Sequence, residues 1–225
     1  MLFVWYKVSF DEKWSHGSAV CETVYFFVEF VCVFPWKCVS LNNQNRGKIM
    51  DGILRKLPIG IQTFEKLREG DYLYVDKTAL VWRIASTETP YFLSRPRRFG
   101  KSLLLSTFEA YFEGKKELFE GLAIADMEKE WKTYPLFHLD LNAEKYDSPQ
   151  ALVEILSRQL TQWELKYGKG EDEETLSGRF AGVIRRACEQ SGRGVVVLVD
   201  EYDKPLLQAL GDDALLDDYR KTLKA

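Results

Sequence analysis

An α/β fold built on a mostly parallel central sheet is the architecture this sequence predicts, and two segments carry the prediction. Val195-Val196-Val197-Leu198-Val199 is a continuous β-branched and apolar run that ends abruptly in Asp200-Glu201. Such a run suits a central parallel strand buried on both faces. Acids at its carboxyl end then stand at the sheet edge where α/β folds bind ligands. Earlier in the chain, Pro90-Tyr91-Phe92-Leu93-Ser94 reads as a short buried strand, while Leu103, Leu104, Thr107, Phe108, Tyr111 and Phe112 recur at helical spacing. Between strand and helix runs Arg95-Pro96-Arg97-Arg98-Phe99-Gly100-Lys101-Ser102, a loop that ends in Gly-Lys-Ser as the helix begins.

That loop has the chemistry of a phosphate grip. The first N–H groups of a helix lack intrahelical partners and the dipole is positive there, so an anion is favoured; Lys101 can reach terminal phosphates and Ser102 can offer a hydroxyl to Mg2+. The pattern G-x-x-x-x-G-K-[ST] would place glycine at position 95, where this chain has Arg95. Loop length is kept, and Pro96 biases Arg95 toward an extended backbone. Arg95, Arg97 and Arg98 offer forked donors to phosphate oxygens in place of the missing turn. On the tripeptide alone, a solvated basic loop at an ordinary strand–helix junction stays open. The later Asp200-Glu201 strand, in the correct order, shifts the reading to a nucleotide: Asp200 for Mg2+ and Glu201 to polarise the attacking water.

The remaining elements follow in order from Met50. Leu57 to Leu67 is an entry segment, Glu69-Gly70-Asp71 a turn, and Tyr72-Leu73-Tyr74-Val75 an alternating strand. Asp76 is placed to cap a helix over Thr78 to Ala85, with Tyr74 and Asp76 alternatively bordering a base pocket. Pro135 to Leu141 reads as a further strand, with His138 a satisfied sheet residue. Asp147-Ser148-Pro149-Gln150 is a helix start with Asp147 as cap. Leu152, Val153, Leu156, Leu160 and Trp163 form one apolar face, Gly168 to Glu174 a charged break, and Leu176, Phe180, Val183, Ile184 and Ala187 a second face. Trp163 and Phe180 are core candidates. A last charged helical pattern runs from Asp213 through Leu216, Tyr219 and Leu223.

From Leu57 onward the chain resembles the AAA-ATPase-like family. The resemblance is carried by Leu57-Pro58-Ile59-Gly60, Tyr74-Val75-Asp76-Lys77-Thr78, Phe92 to Ser102 with its arginine-rich loop, and Val199-Asp200-Glu201-Tyr202-Asp203-Lys204-Pro205. It implies a P-loop NTPase three-layer sandwich with a mostly parallel sheet. ATP and Mg2+ are the implied ligands: Arg95, Arg97, Arg98, Phe99, Gly100, Lys101 and Ser102 at the nucleotide, Ser102 and Asp200 at the metal, and Glu201 as candidate catalytic base. It also implies a restriction-nuclease-like domain downstream in longer members. Ending at Ala225, before the strand that would supply a polar sensor, the sequence reads as the N-terminal part of such a domain, incomplete at its C-terminus. Three functional expectations result: Mg-dependent ATP hydrolysis, a non-hydrolysing ATP-binding module regulating a nuclease, or an inactive fragment.

Composition fits a soluble α/β protein, with 46% hydrophobic and 29% charged residues among 225. A net charge of −3 gives no global reason to expect nucleic acid. Cys21, Cys32, Cys38 and Cys188 lack zinc-ligand spacing, so reduced thiols in a cytoplasmic protein are the expectation. Residues 1–49 stand apart from 50–225, being rich in aromatics and holding three of the four cysteines. Their apolar run from Val20 to Trp36 is broken by Glu22 and Glu29 and is too short for a membrane span. Met50 reads as a natural start, with 1–49 as upstream sequence; an authentic β-hairpin extension is the alternative.

Overall fold

The computed structural model describes residues 55–87, 90–94, 99–142 and 145–224, together with the backbone of 2–8. Strands are β1 (Leu2–Val8), β2 (Tyr91–Ser94), β3 (Leu136–Asp140) and β4 (Val195–Asp200). Helices are α1 (Phe64–Glu69), α2 (Thr78–Ala85), α3 (Lys101–Phe112), α4 (Ala123–Met127), α5 (Pro149–Tyr167), α6 (Leu176–Ser191), α7 (Lys204–Gln208) and α8 (Asp213–Lys224). A single 3-10 turn, Lys116–Phe119, joins α3 to α4.

The sheet order is β2-β1-β4-β3. β3 runs parallel to β4, and β1 is antiparallel to both β2 and β4, so β2, β4 and β3 share one direction. Every residue of β4 is buried. The pleat divides them: Val196 and Leu198 join α1 to α4 in one core, while Val195, Val197 and Val199 join α5 and α6 in another. Helices thus cover the sheet on both faces, the α/β arrangement expected. A third cluster, built on Leu141, Leu152 and Tyr219, packs α8 against α5. Tyr219 is fully buried and its hydroxyl donates to the Ser148 carbonyl at 2.7 Å.

Local chemistry explains where elements begin. Pro149 occupies the first turn of α5, but its N-cap is Ser148, with no side-chain capping bond, rather than Asp147. The Asp147 carboxylate instead pairs with Lys145 at 3.0 Å. Thr175 caps α6 by accepting the Gly178 N–H at 3.0 Å. Between α5 and α6, Arg179 grips Glu164 through two parallel bonds of 2.7 and 2.8 Å. Arg186 does the same for Glu173, whose carboxylate lies so close to Gly182 that a Cβ there would sit 1.7 Å from Oε1. The Trp163 and Phe180 rings meet at 6.0 Å beside Phe137, as core residues. Val153, expected on the apolar face, is 40% exposed, and Ile155 is buried in its stead.

Two expected strands differ. Tyr72 to Val75 forms only an isolated bridge, Lys56 to Tyr72, since among the described residues no strand runs beside it. Its alternation is nonetheless used: Tyr74 packs edge-on against Phe64 at 5.2 Å while Leu73 and Val75 face outward. β2 is half-buried rather than buried, with Phe92 44% exposed, since it lies at the sheet's edge. Of residues 1–49, Leu2–Val8 stands in the sheet, and residues 9–49 lie outside the described residues.

Asp76 does more than start one helix. It stands one residue before the N-cap of α2, and its Oδ1 accepts from the Thr78 N–H at 2.8 Å and the Thr78 hydroxyl at 2.7 Å. Its Oδ2 accepts from the Ala123 N–H at 2.7 Å, and Thr78 Oγ1 accepts from the Ile124 N–H at 3.1 Å. The N-termini of α2 and α4 are therefore satisfied by one Asp–Thr pair. Burial pushes the Tyr74 hydroxyl up to about 12, consistent with a core role beside this knot. Tyr74 and Asp76 thus both have structural partners, Tyr74 in the core and Asp76 at two helix starts. Asp76→Ala leaves two helix-start donors without their acceptor, so it should cost about 1–3 kcal/mol in chemical denaturation.

Candidate functional site

The geometry of the Gly-Lys-Ser junction follows from Gly100. This residue is the N-cap of α3 in the left-handed region, φ 74° and ψ 26°, a conformation glycine adopts without steric penalty. Among the described residues no side chain caps the helix, and a Cβ on Gly100 would meet nothing within 4 Å. Lys101 is the first residue of α3, and Ser102, the second, is half-buried. Phe99 is 64% exposed. Arg95, Pro96, Arg97 and Arg98 lie outside the described residues.

α3 packs its Leu105 and Phe108 onto the Val196 and Leu198 face of β4, which brings the helix start to the carboxyl end of that strand. There the Lys101 side chain is 5% exposed, with Nζ 3.7 Å from Glu201 Oε1. Among the described residues that ammonium has no hydrogen-bond partner. Unit charges about 4 Å apart attract by about 4 kcal/mol at an effective dielectric of 20. Desolvation costs several kcal/mol for each ion. Without hydrogen bonds, such a pair does not account for itself as a stabilising contact. It is a buried cation with no hydrogen-bond acceptor among the described residues, at the first residue of a helix.

The acidic side is equally constrained. Asp200 and Glu201 are buried, at 8% and 6% exposure. Burial raises both carboxyls above the usual range, against the opposing pull of the Glu201 N–H and Lys101 on Asp200 and of Lys101 on Glu201. Asp200 Oδ1 accepts from the Glu201 N–H at 2.9 Å. Glu201 has φ 55°, a positive value uncommon for a residue with a Cβ. The rest of the Asp-Glu-Tyr-Asp-Lys-Pro segment holds this turn: Tyr202 is anchored in the core, the Lys204 N–H donates to the Glu201 carbonyl at 2.9 Å, and the Lys204 ammonium bonds to Asn142 at the end of β3. Pro205 then lies in the first turn of α7.

Lys101, Asp200 and Glu201 therefore meet as expected, with Gly100 and Ser102 at their side. Asp140 was not anticipated at this site. It pairs in register with Asp200 and its charge further raises that carboxyl. A signal was present, since Leu136 to Asp140 repeats the pattern of an apolar run ending in an acid. His138, expected to be a satisfied sheet residue, has Nδ1 2.7 Å from Glu109 of α3, while its Nε2 is buried without a partner. Burial opposes the imidazolium, but Glu109, Asp140 and Asp200 outweigh it and hold the pKa above the ordinary histidine value. Among the described residues no group of three or more His, Cys, Asp or Glu side chains is arranged to hold a metal by itself. Cys188 is a buried thiol, raised to about 11 by burial. No helix among the described residues is long and apolar enough to cross a membrane.

Fold and site together define an α/β protein in which a glycine-entered, lysine-bearing helix start faces a buried acidic strand end. A family model described as a predicted AAA-ATPase matches residues 58–225, and the chain belongs to that AAA-ATPase-like family. A curated relative from Azotobacter chroococcum mcd 1, described as an uncharacterized protein in the vnfD 5' region, is 42% identical over 171 residues. The match covers 76% of this chain and 33% of the relative, so the chain spans about a third of that relative's length. No solved structure matches.

The raised Asp200 carboxyl has a measurable consequence. Its folded-state pKa lies above the unfolded value, so the folded protein binds the extra proton and stability falls as pH rises through that window. The penalty is largest above that window. Asp200→Asn keeps an acceptor for the Glu201 N–H and removes the charge. It should raise the thermal midpoint at pH 7, by about 2–4 °C for each 1 kcal/mol relieved, and give no gain at pH 3.

Proposed function

We propose that this chain binds ATP with Mg2+ at the junction of β2, α3 and β4, and that the bound nucleotide is hydrolysed there. One observation carries the reading: the buried Lys101 ammonium, without a hydrogen-bond partner, lies at the uncapped start of α3 and faces Asp200 and Glu201. A terminal phosphate supplies what that ammonium and the free N–H groups of α3 lack, namely several anionic acceptors at once. Membership of a family described as predicted AAA-ATPases supports the same ligand.

The residues present fit both groups. Lys101 and the backbone from Phe99 to Ser102 would take the phosphates, with Arg95, Arg97 and Arg98 supplying further donors from the loop. The Ser102 hydroxyl and the Asp200 carboxylate are the oxygen ligands suited to Mg2+, which neutralises phosphate charge when bound. Glu201 is the candidate base. Its carboxylate lies 3.7 Å from the Lys101 ammonium. Phosphate oxygens compete for the same ammonium, releasing Glu201 to orient water. Its burial raises its pKa and so strengthens it as a proton acceptor.

Calorimetric titration with Mg-ATP tests the reading. Lys101→Ala should weaken binding at least about tenfold, the cost of one charge-assisted contact. Equal affinity in wild type and variant would refute the site. Glu201→Gln frees Lys101 from its internal partner, so it should bind ATP at least as tightly as wild type while phosphate release falls by about 100-fold or more. Tight ATP binding without phosphate release in the wild type would leave an ATP-gated binding module as the function of the same site.

A further inference from the structure

Glu201 combines the role of candidate base with a left-handed backbone, φ 55°, which a residue bearing a Cβ adopts at a cost. Such a conformation persists only where the surroundings over-determine it. Both peptide planes that flank Glu201 are held. The Asp200–Glu201 peptide is fixed at its carbonyl, which accepts the Leu141 N–H at 3.1 Å, and at its N–H, which donates to Asp200 Oδ1 at 2.9 Å. The Glu201–Tyr202 peptide is fixed at its carbonyl, which accepts the Lys204 N–H at 2.9 Å.

The two clamps share one anchor, just past the end of β3. Leu141 is fully buried, and the N–H of Asn142 beside it donates to Asp140 Oδ1 at 2.8 Å. The Lys204 ammonium donates to the Asn142 carbonyl and, at 3.2 Å, to Asn142 Oδ1. A circuit therefore closes from Asp200 through Leu141, Asn142 and Lys204 back to Glu201. Every other link in it is a covalent bond or a backbone hydrogen bond, so the Lys204 side chain is the one part that a substitution can remove. With the first plane fixed by Leu141, φ sets where the Glu201 Cβ points. Leaving the left-handed region would swing the carboxylate away from Lys101, whose position depends on α3.

We propose that Lys204 is a positioning residue: through Asn142 it holds Glu201 in the left-handed region and so keeps the Glu201 carboxylate aimed into the phosphate side of the site. Its kinetic consequence rests on the nucleotide reading, whereas its effect on the backbone of Glu201 does not. A base must stand within hydrogen-bond reach of the water it activates, so a turned carboxylate loses turnover while the phosphate contacts of Lys101 and the start of α3 remain. The Lys204 ammonium reaches Asn142 and not Asp200, Glu201 or Lys101. Its loss therefore acts on the aim of the base and leaves the charges of the site in place.

The test compares the full chain with Lys204→Met, which keeps the side-chain length and removes the donors, and Lys204→Arg, which supplies donors again. In the absence of nucleotide, the NMR coupling between the amide and α protons of residue 201 and its Cα shift read its φ. Wild type and Lys204→Arg should be left-handed, and Lys204→Met should not. With Mg-ATP, Lys204→Met should bind within about twofold of wild type by calorimetry while phosphate release falls at least about tenfold, and Lys204→Arg should recover most of that loss. Asn142→Ala removes one of the two acceptors, so it should shift both readouts the same way by less, and it carries the test should Lys204→Met not fold. A left-handed residue 201 in the variants that break the link overturns the proposal, even if the wild type neither binds nor hydrolyses ATP, an outcome that refutes the nucleotide reading by itself. ATP affinity falling as far as phosphate release also overturns it, since Lys204 would then support binding or folding and not the aim of the base.

Discussion

Burial of β4 on both faces is the constraint from which the rest of the structure follows. Five apolar residues divide between two cores, each contributing on the order of 1.5–3 kcal/mol when fully buried, and the same strand carries Asp200 and Glu201 into the interior at its end. A strand so placed cannot expose its terminal acids to bulk water. Their carboxyls are pushed up, and the counter-charge within reach is Lys101, delivered by α3 packing on the same strand. Charge at the site is thus a product of core packing: the apolar contacts of Leu105 and Phe108 fix where the lysine sits.

That arrangement is stable yet incomplete. The ion pair is long, at 3.7 Å, and leaves the ammonium without a hydrogen bond, while Glu201 holds a positive φ that its neighbours must enforce. Unsatisfied buried donors and backbone strain are costs that a purely structural junction has no reason to keep. Both become useful where an anion with several oxygens enters. The surrounding contacts fit this view, because Tyr202, Lys204 and Pro205 act on the turn around Glu201 and not on the carboxylate.

Much of this was legible in the sequence, for identifiable reasons. Long uniform patterns declared themselves: Val195–Val199 as a central strand, the periodic residues of α3, α5 and α6, and the Gly100 position at a helix start. Gly-Lys-Ser and Asp-Glu were recognisable because each follows an apolar strand. Tertiary competition was not legible. Asp147 was diverted from capping by Lys145, and Tyr72 to Val75 alternated without acquiring a strand partner. Asp76 looked like an ordinary cap or a base-pocket residue, since the second helix start it satisfies, at Ala123, is 47 residues away. The bond from Lys204 to Asn142 spans 62 residues and leaves no local trace.

The position of β1 was the least legible feature, and the physics of sheets explains why. Residues 1–49 read as a segment set apart from the rest of the chain, and nothing local in Leu2–Val8 says which edges it will pair with, because main-chain ladders do not read side chains. The two edges it joins are themselves far apart in sequence, at residues 91–94 and 195–200. The order of dependence therefore runs from β4 outward: its burial positions α3 and the acids, its edge pairs with β1, and among the described strands β1 alone joins β2 to the sheet.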